Sequence, residues 1–220
     1  DLSSWAGKEV QIAFLLYTYR HDGDEPGWYI DQVEVETGDQ IWINPEGFER
    51  PGSWEHWSVD NAVWEIGIPT SGPGSAYEGQ RVAATVLGGN FDNQKGFTRL
   101  ISPMIGIPEA SENPRLRFWH WYDFGDYGDL HYGKVQIREA GGEWQDLTGK
   151  EYDSTSSVWS RPQEDLSSWA GKEVQIAFLL YTNRFDGDEP GWYIDQVEIE
   201  SDILSPIFDY IWANAIPERE

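Results

Sequence analysis

The chain carries one stretch twice. Residues 1–36 read DLSSWAGKEVQIAFLLYTYRHDGDEPGWYIDQVEVE and residues 165–200 read DLSSWAGKEVQIAFLLYTNRFDGDEPGWYIDQVEIE, with differences only at Tyr19/Asn183, His21/Phe185 and Val35/Ile199. A shared fold does not demand such near-identity, so it marks a recent duplication of a domain-sized unit. On that offset of 164 positions, residues 37–200 make one complete module, residues 1–36 the end of a preceding one, and residues 201–220 a tail that belongs to neither. The chain is expected to be a piece of a longer array, since no signal peptide or long apolar span opens it.

Within the repeat, Val10, Ile12, Phe14, Leu16 and Thr18 alternate with Ala13, Leu15 and Tyr17. This period of two predicts a strand, and apolar residues on both faces predict a central strand covered on both sides. HDGDEPG is a loop by its Gly, Pro and Asp content, and Trp28–Glu36 is the next strand. There Tyr29, Asp31, Val33 and Val35 share one face, which aims Asp31, and Asp195 in the second copy, toward the core. A buried carboxylate needs a cation, an arginine or several N–H donors.

Elsewhere the module reads as short strands separated by turns. Trp54 to Ile66 is strand material interrupted near Asp60-Asn61, TSGPGSAYEG is a long loop, Arg81–Leu87 is a strand, and Thr98–Ile107 is a strand with Pro103 at an edge or bulge. In PRLRFWHWYDF, Leu116, Phe118, His120 and Tyr122 alternate with Arg117, Trp119, Trp121 and Asp123. Lys134–Arg138 and Glu143–Leu147 make a hairpin around Ala140-Gly141-Gly142. With no helical periodicity inside the module, the expected fold is an all-β sandwich. The tail is the exception: Ile207, Phe208, Ile211, Trp212 and Ala215 follow Pro206 at helical spacing, predicting a short helix or an apolar docking arm.

Composition narrows function by exclusion. Fifteen Lys and Arg face 39 Asp and Glu, a net charge of −24, while 13 Trp supply buried area enough to fold. Such a surface repels nucleic acid and anionic lipid and attracts divalent cations. No cysteine is present, so disulfides and thiolate metal sites are excluded. No nucleophile elbow, zinc-protease helix or phosphate loop appears. A paired-carboxylate glycosidase is defined by a distance that sequence does not carry, but one sandwich module offers no second layer for a deep cleft. The chain therefore reads as non-catalytic.

The ordered set WEIGIPTSGPGSAYEG, LGGNF, LISPMI, LRFWHWYDF, a Gly-Gly-Glu-Trp turn, DLSSWAGKEVQIAF and GWYIDQVEI resembles the MAM-like jelly-roll modules of bacterial and archaeal secreted proteins. Those beside immune-inhibitor-A-type metallopeptidases and in repetitive surface proteins are the most similar. The resemblance covers residues 47–200 and implies an extracellular or cell-surface jelly roll with a buried calcium ion. Asp195 matches the first acidic residue of the family's Gly-Trp-Tyr-Ile-Asp-Asp-Val motif, and Gln196 departs from the second.

The candidate calcium ligands are Asp195, its counterpart Asp31, and two acidic loop clusters, Asp123, Asp126 and Asp129, and Asp186, Asp188 and Glu189. Neither loop has EF-hand spacing, so a site would be assembled from separate loops, and simple solvation of these carboxylates is the competing reading. For Asp195 the alternatives are calcium and an arginine or backbone partner. Trp119 and Trp121 would serve either as a sugar-stacking platform or, the favoured reading, in packing. His120 is expected to be a hydrogen-bonded core histidine. The favoured function is a structural or adhesive repeat unit of a long surface or filament-forming protein, calcium-stabilised and associating head to tail with neighbouring copies, and the competing one is a carbohydrate-binding accessory module of a secreted hydrolase or peptidase. A lectin assay separates them.

Overall fold

The computed structural model describes residues 10, 12–14, 42–50, 52, 54–61, 64–91, 96–125, 130–183 and 189–202. It divides into two compact units, residues 1–39 and 40–220. In the first, Val10, Ile12, Ala13 and Phe14 are exposed and lie in no strand. The rest of the strand expected over residues 9–18 lies outside the described residues, and the same residue types at 174–178 form strand in the second unit. The tail beyond Asp202, with its expected helix or arm, lies outside the described residues.

The described residues of the second unit form eleven strands: β1 (Ser58–Asp60), β2 (Glu65–Gly67), β3 (Val82–Ala84), β4 (Gly96–Ile101), β5 (Ile105–Gly106), β6 (Arg115–Asp123), β7 (His131–Glu139), β8 (Gln145–Asp146), β9 (Gln163–Asp165), β10 (Glu173–Thr182) and β11 (Gly191–Glu200). One sheet runs β1-β4-β10-β7-β8 with β5 also on β10, and the other runs β2-β3-β11-β6-β9; every pairing is antiparallel. This is a jelly-roll β-sandwich, as the sequence predicts. The strand expected over 98–107 is split at Pro103, which lacks the N–H a ladder needs. The repeated stretch thus supplies the central strand of each sheet, β10 and β11.

The core lies between the sheets. Phe118, Phe178 and Trp192 meet edge to face, with ring centroids 4.9 and 5.7 Å apart along that series. Gly133 is required beneath Trp192, because a Cβ there would come within 2.6 Å of the indole. His120 sits in this core and accepts a hydrogen bond from Trp192 Nε1 at 3.3 Å. Burial, with Lys150 nearby, pushes its imidazole down to about 3, so it stays neutral.

One feature of the architecture corrects the sequence reading. Along β11, Trp192 and Ile194 face the core, yet so do Val197 and Ile199. The phase changes at a β-bulge between Asp195 and Glu198, where Gln196 takes a positive φ of 47°. Asp195 therefore faces outward with Tyr193 rather than toward the core. β10 is central and buried on both faces, as its apolar alternation predicts, and on its outer face Ala177 and Leu179 lie in register with Gln136 and Arg99, whose hydrogen bond crosses the strand.

Candidate functional site

The outer face of the β11 sheet holds the residues the sequence singled out. Trp119 and Trp121 alternate with the core-facing Phe118 and His120, which puts both on this face, and Trp119 pairs with Asp195 across the β6–β11 ladder. The loop 71–80 lies over them. Tyr77 stacks on Trp119 at 3.6 Å with planes 14° apart, and Trp159 meets Tyr77 edge to face at 6.2 Å. Trp121 packs on Tyr193, whose hydroxyl is 2.8 Å from Ser71 Oγ. Both tryptophans contact neighbouring aromatic rings of the same unit.

Asp195 is fully buried beneath that loop. Its Oδ2 accepts the Glu78 N–H at 3.0 Å and its Oδ1 accepts the Gln196 N–H at 2.8 Å. Burial raises its carboxyl to about 7 against the pull of N–H donors from Glu78, Gln196 and Tyr77, and Glu49 nearby adds to the rise. Glu49 in turn accepts the N–H groups of Gln80 and Arg81 at 2.7 and 2.6 Å, pinning the far end of the loop. Of the alternatives open for Asp195, the structure supplies the backbone partner. No described Lys or Arg side chain forms a salt bridge with it.

The other candidate ligands do not join it. Asp123 accepts the Gly125 N–H at 3.1 Å and the Thr155 hydroxyl at 2.6 Å, and it pairs with Gly191 at the start of β11. Glu189 stands just before that point, so Asp123 and Glu189 share one end of the sandwich, whereas Asp195 lies four residues along β11, roughly 13 Å at strand spacing. Asp31, Asp126, Asp129, Asp186 and Asp188 lie outside the described residues. Among the described residues, no group of three or more His, Asp or Glu side chains is placed to hold a metal ion.

The opposite sheet presents a face that sequence reasoning missed. Phe97 on β4, Tyr181 on β10 and Tyr132 on β7 occupy one row across three adjacent strands. Tyr132 and Tyr181 stack at 4.9 Å, and Phe97 is 46% exposed. Beside this row Arg99 Nε donates to Gln136 Oε1 at 2.8 Å, crossing over β10. Arg99 lies over Phe97 at 4.3 Å and over Trp144 at 5.5 Å, and Arg138 lies over the same Trp144 at 4.3 Å. Gln136 donates to Asp146, Arg138 donates to Gln175, and Gln175 donates to the Ser102 carbonyl. The result is a surface of aromatic rings framed by amide and guanidinium groups already fixed by one another.

No family model matches the chain. Bacillopeptidase F of Bacillus subtilis (strain 168) is 34% identical over 147 residues, which is 67% of this chain and 10% of that protein. The chain thus spans about a tenth of the length of the curated relative it matches. Among solved structures, TmCBM61 in complex with β-1,4-galactotriose covers 70% of this chain and 94% of its own, at 18% identity and a TM-score of 0.45. The CBM22-1 xylan-binding domain from Paenibacillus barcinonensis Xyn10C covers 73% and 97%, at 13% identity and 0.45. The K3 cleaved adhesin domain of the Lys-gingipain of Porphyromonas gingivalis w83 covers 72% and 99%, at 17% identity and 0.45. The two-sheet topology described above stands independently of these likenesses. No helix among the described residues is long and apolar enough to cross a membrane.

Proposed function

We propose that the chain is a non-catalytic accessory module of a secreted hydrolase or peptidase and that it binds polysaccharide through the outer face of the β4–β10–β7 sheet. The observation that carries this reading is the row Phe97, Tyr181 and Tyr132, with hydrogen-bonding side chains fixed alongside it. A sugar ring offers a C–H patch and a rim of hydroxyls, and a preset surface of rings, amides and guanidinium groups matches both. The likeness to part of a much longer peptidase supports the accessory role and the secreted setting, and the motifs quoted for a MAM-like module agree with it.

Retention on a panel of immobilised polysaccharides is the test. Phe97→Ala with Tyr181→Ala should abolish retention while leaving the fold intact by circular dichroism. Trp119→Ala with Trp121→Ala should lower stability by several kcal/mol and leave retention by the folded fraction unchanged. Loss of retention in a folded tryptophan variant alone would move the binding face to the other sheet.

A further inference from the structure

The charges around the aromatic row identify the ligand class, given that this row binds a polysaccharide at all. Asp60 holds Arg99 at 2.8 Å, Arg99 donates to Gln136, and Gln136 donates to Asp146 at 2.7 Å. Lys134 closes the series by pairing with Asp146 at 3.1 Å and Glu151 at 2.7 Å. The series runs across the strands, parallel to the row Phe97, Tyr181 and Tyr132.

Three cations, Arg99, Lys134 and Arg138, therefore stand among three carboxylates, Asp60, Asp146 and Glu151. With Glu173, which shares the outer face of β10 with Gln175, the face carries no excess of positive charge, in a chain of net charge −24. We infer that it takes a neutral polysaccharide lying across the strands, with its rings on the Phe97–Tyr181–Tyr132 row and its hydroxyls on the Arg99–Gln136–Asp146 series. At strand spacing the row is about 10 Å wide, enough for roughly two sugar rings.

A polyanion would meet opposition twice. Its carboxylates would have to displace Asp60 and Asp146 from cations those residues already hold, and they would approach a surface whose summed field repels them. A neutral chain meets neither obstacle, and its binding depends little on ionic screening.

The test uses the full chain with soluble β-1,3- and β-1,4-glucans, xylan and galactan, each beside its carboxymethylated derivative. We expect a neutral polymer to bind with an affinity that changes less than about two-fold between low and high salt, and its carboxymethylated form to bind at least about ten-fold more weakly. Phe97→Ala with Tyr181→Ala should remove the binding. Asp60→Asn with Asp146→Asn, which releases Arg99 and Lys134, should narrow the gap between the neutral and charged forms. Equal or tighter binding of the charged form, lost in the Phe97/Tyr181 variant, would overturn the inference and leave the polysaccharide reading standing. Retention of no polymer would overturn that reading and the inference together.

Discussion

Arg99 on β4 and Gln136 on β7 are joined by a 2.8 Å hydrogen bond over the top of β10. Their register partners on β10 are Leu179 and Ala177, both buried, so the bond closes a polar strap over an apolar strip. Gln136→Ala removes the acceptor for Arg99 Nε and the donor to Asp146. The expected loss is about 1 kcal/mol, the scale of one such bond, together with weaker polysaccharide retention. Urea unfolding and affinity electrophoresis check the two effects, and a variant unchanged in both would show the strap to be incidental.

Acid should unfold the protein partly through His120. Its imidazole is held down to about 3 by burial first and by Lys150 second, against an ordinary value of 6.5. It is enclosed by Trp192, Tyr122 and Tyr152, and the Tyr152 hydroxyl donates to Glu164 at 3.3 Å. Between those two values the unfolded chain binds a proton there and the folded chain does not. This contribution is complete above pH 6.5 and is lost as pH falls toward 3. His120→Gln removes the titrating group, so the difference in urea midpoint between wild type and variant should change across that window. A constant difference would place the acid sensitivity elsewhere.

Calcium binding is a proposal supported by the high net negative charge and by the burial of the Asp195 carboxyl. A ligand held only by the folded state at a hundred times its dissociation constant adds about 2.7 kcal/mol. For a domain of this size that raises the melting temperature by about 5 to 10 °C. Calorimetry in millimolar calcium and in EDTA should show a gap of that order. Superimposable transitions would remove calcium from the account.

Self-association is the expected behaviour of the N-terminal copy. Val10, Ile12 and Phe14 are 45%, 49% and 50% exposed, although the identical residue types at 174, 176 and 178 are buried in the core. We propose that these exposed apolar residues associate with other copies, head to tail. Sedimentation velocity should show the intact chain self-associating with rising concentration and a chain trimmed to residues 37–200 remaining monomeric. An intact chain that stays monomeric at high concentration refutes the proposal.

What could be read from sequence was whatever a single strand displays. The alternation in 115–123 and 173–182 located β6 and β10, and it placed His120 inside and Trp119 and Trp121 outside. Asp195 was placed on the wrong face because period two assumes an unbroken ladder. The bulge falls at Gln196, a residue type that gives none of the usual signals of positive φ. The row Phe97, Tyr181 and Tyr132 was out of reach for a different reason. Its members come from three strands far apart in the chain, and only the register of β10 against β4 and β7 brings them level.

The placement of β10 and β11 bears on how the module is made. Both sheets receive their central strand from residues 165–200, so a ribosome must deliver residues 40–164 before either sheet can close. Until then the flanking strands have no partner for their inner edges, a state prone to wrong pairing. An almost identical sequence has already been synthesised at 1–36. Side-chain complementarity scarcely distinguishes the two copies, which differ at three positions, of which Ile199 is the one seen in the core among the described residues. Choosing the right one falls to timing and tether length, and divergence between neighbouring copies would be the direct evolutionary remedy.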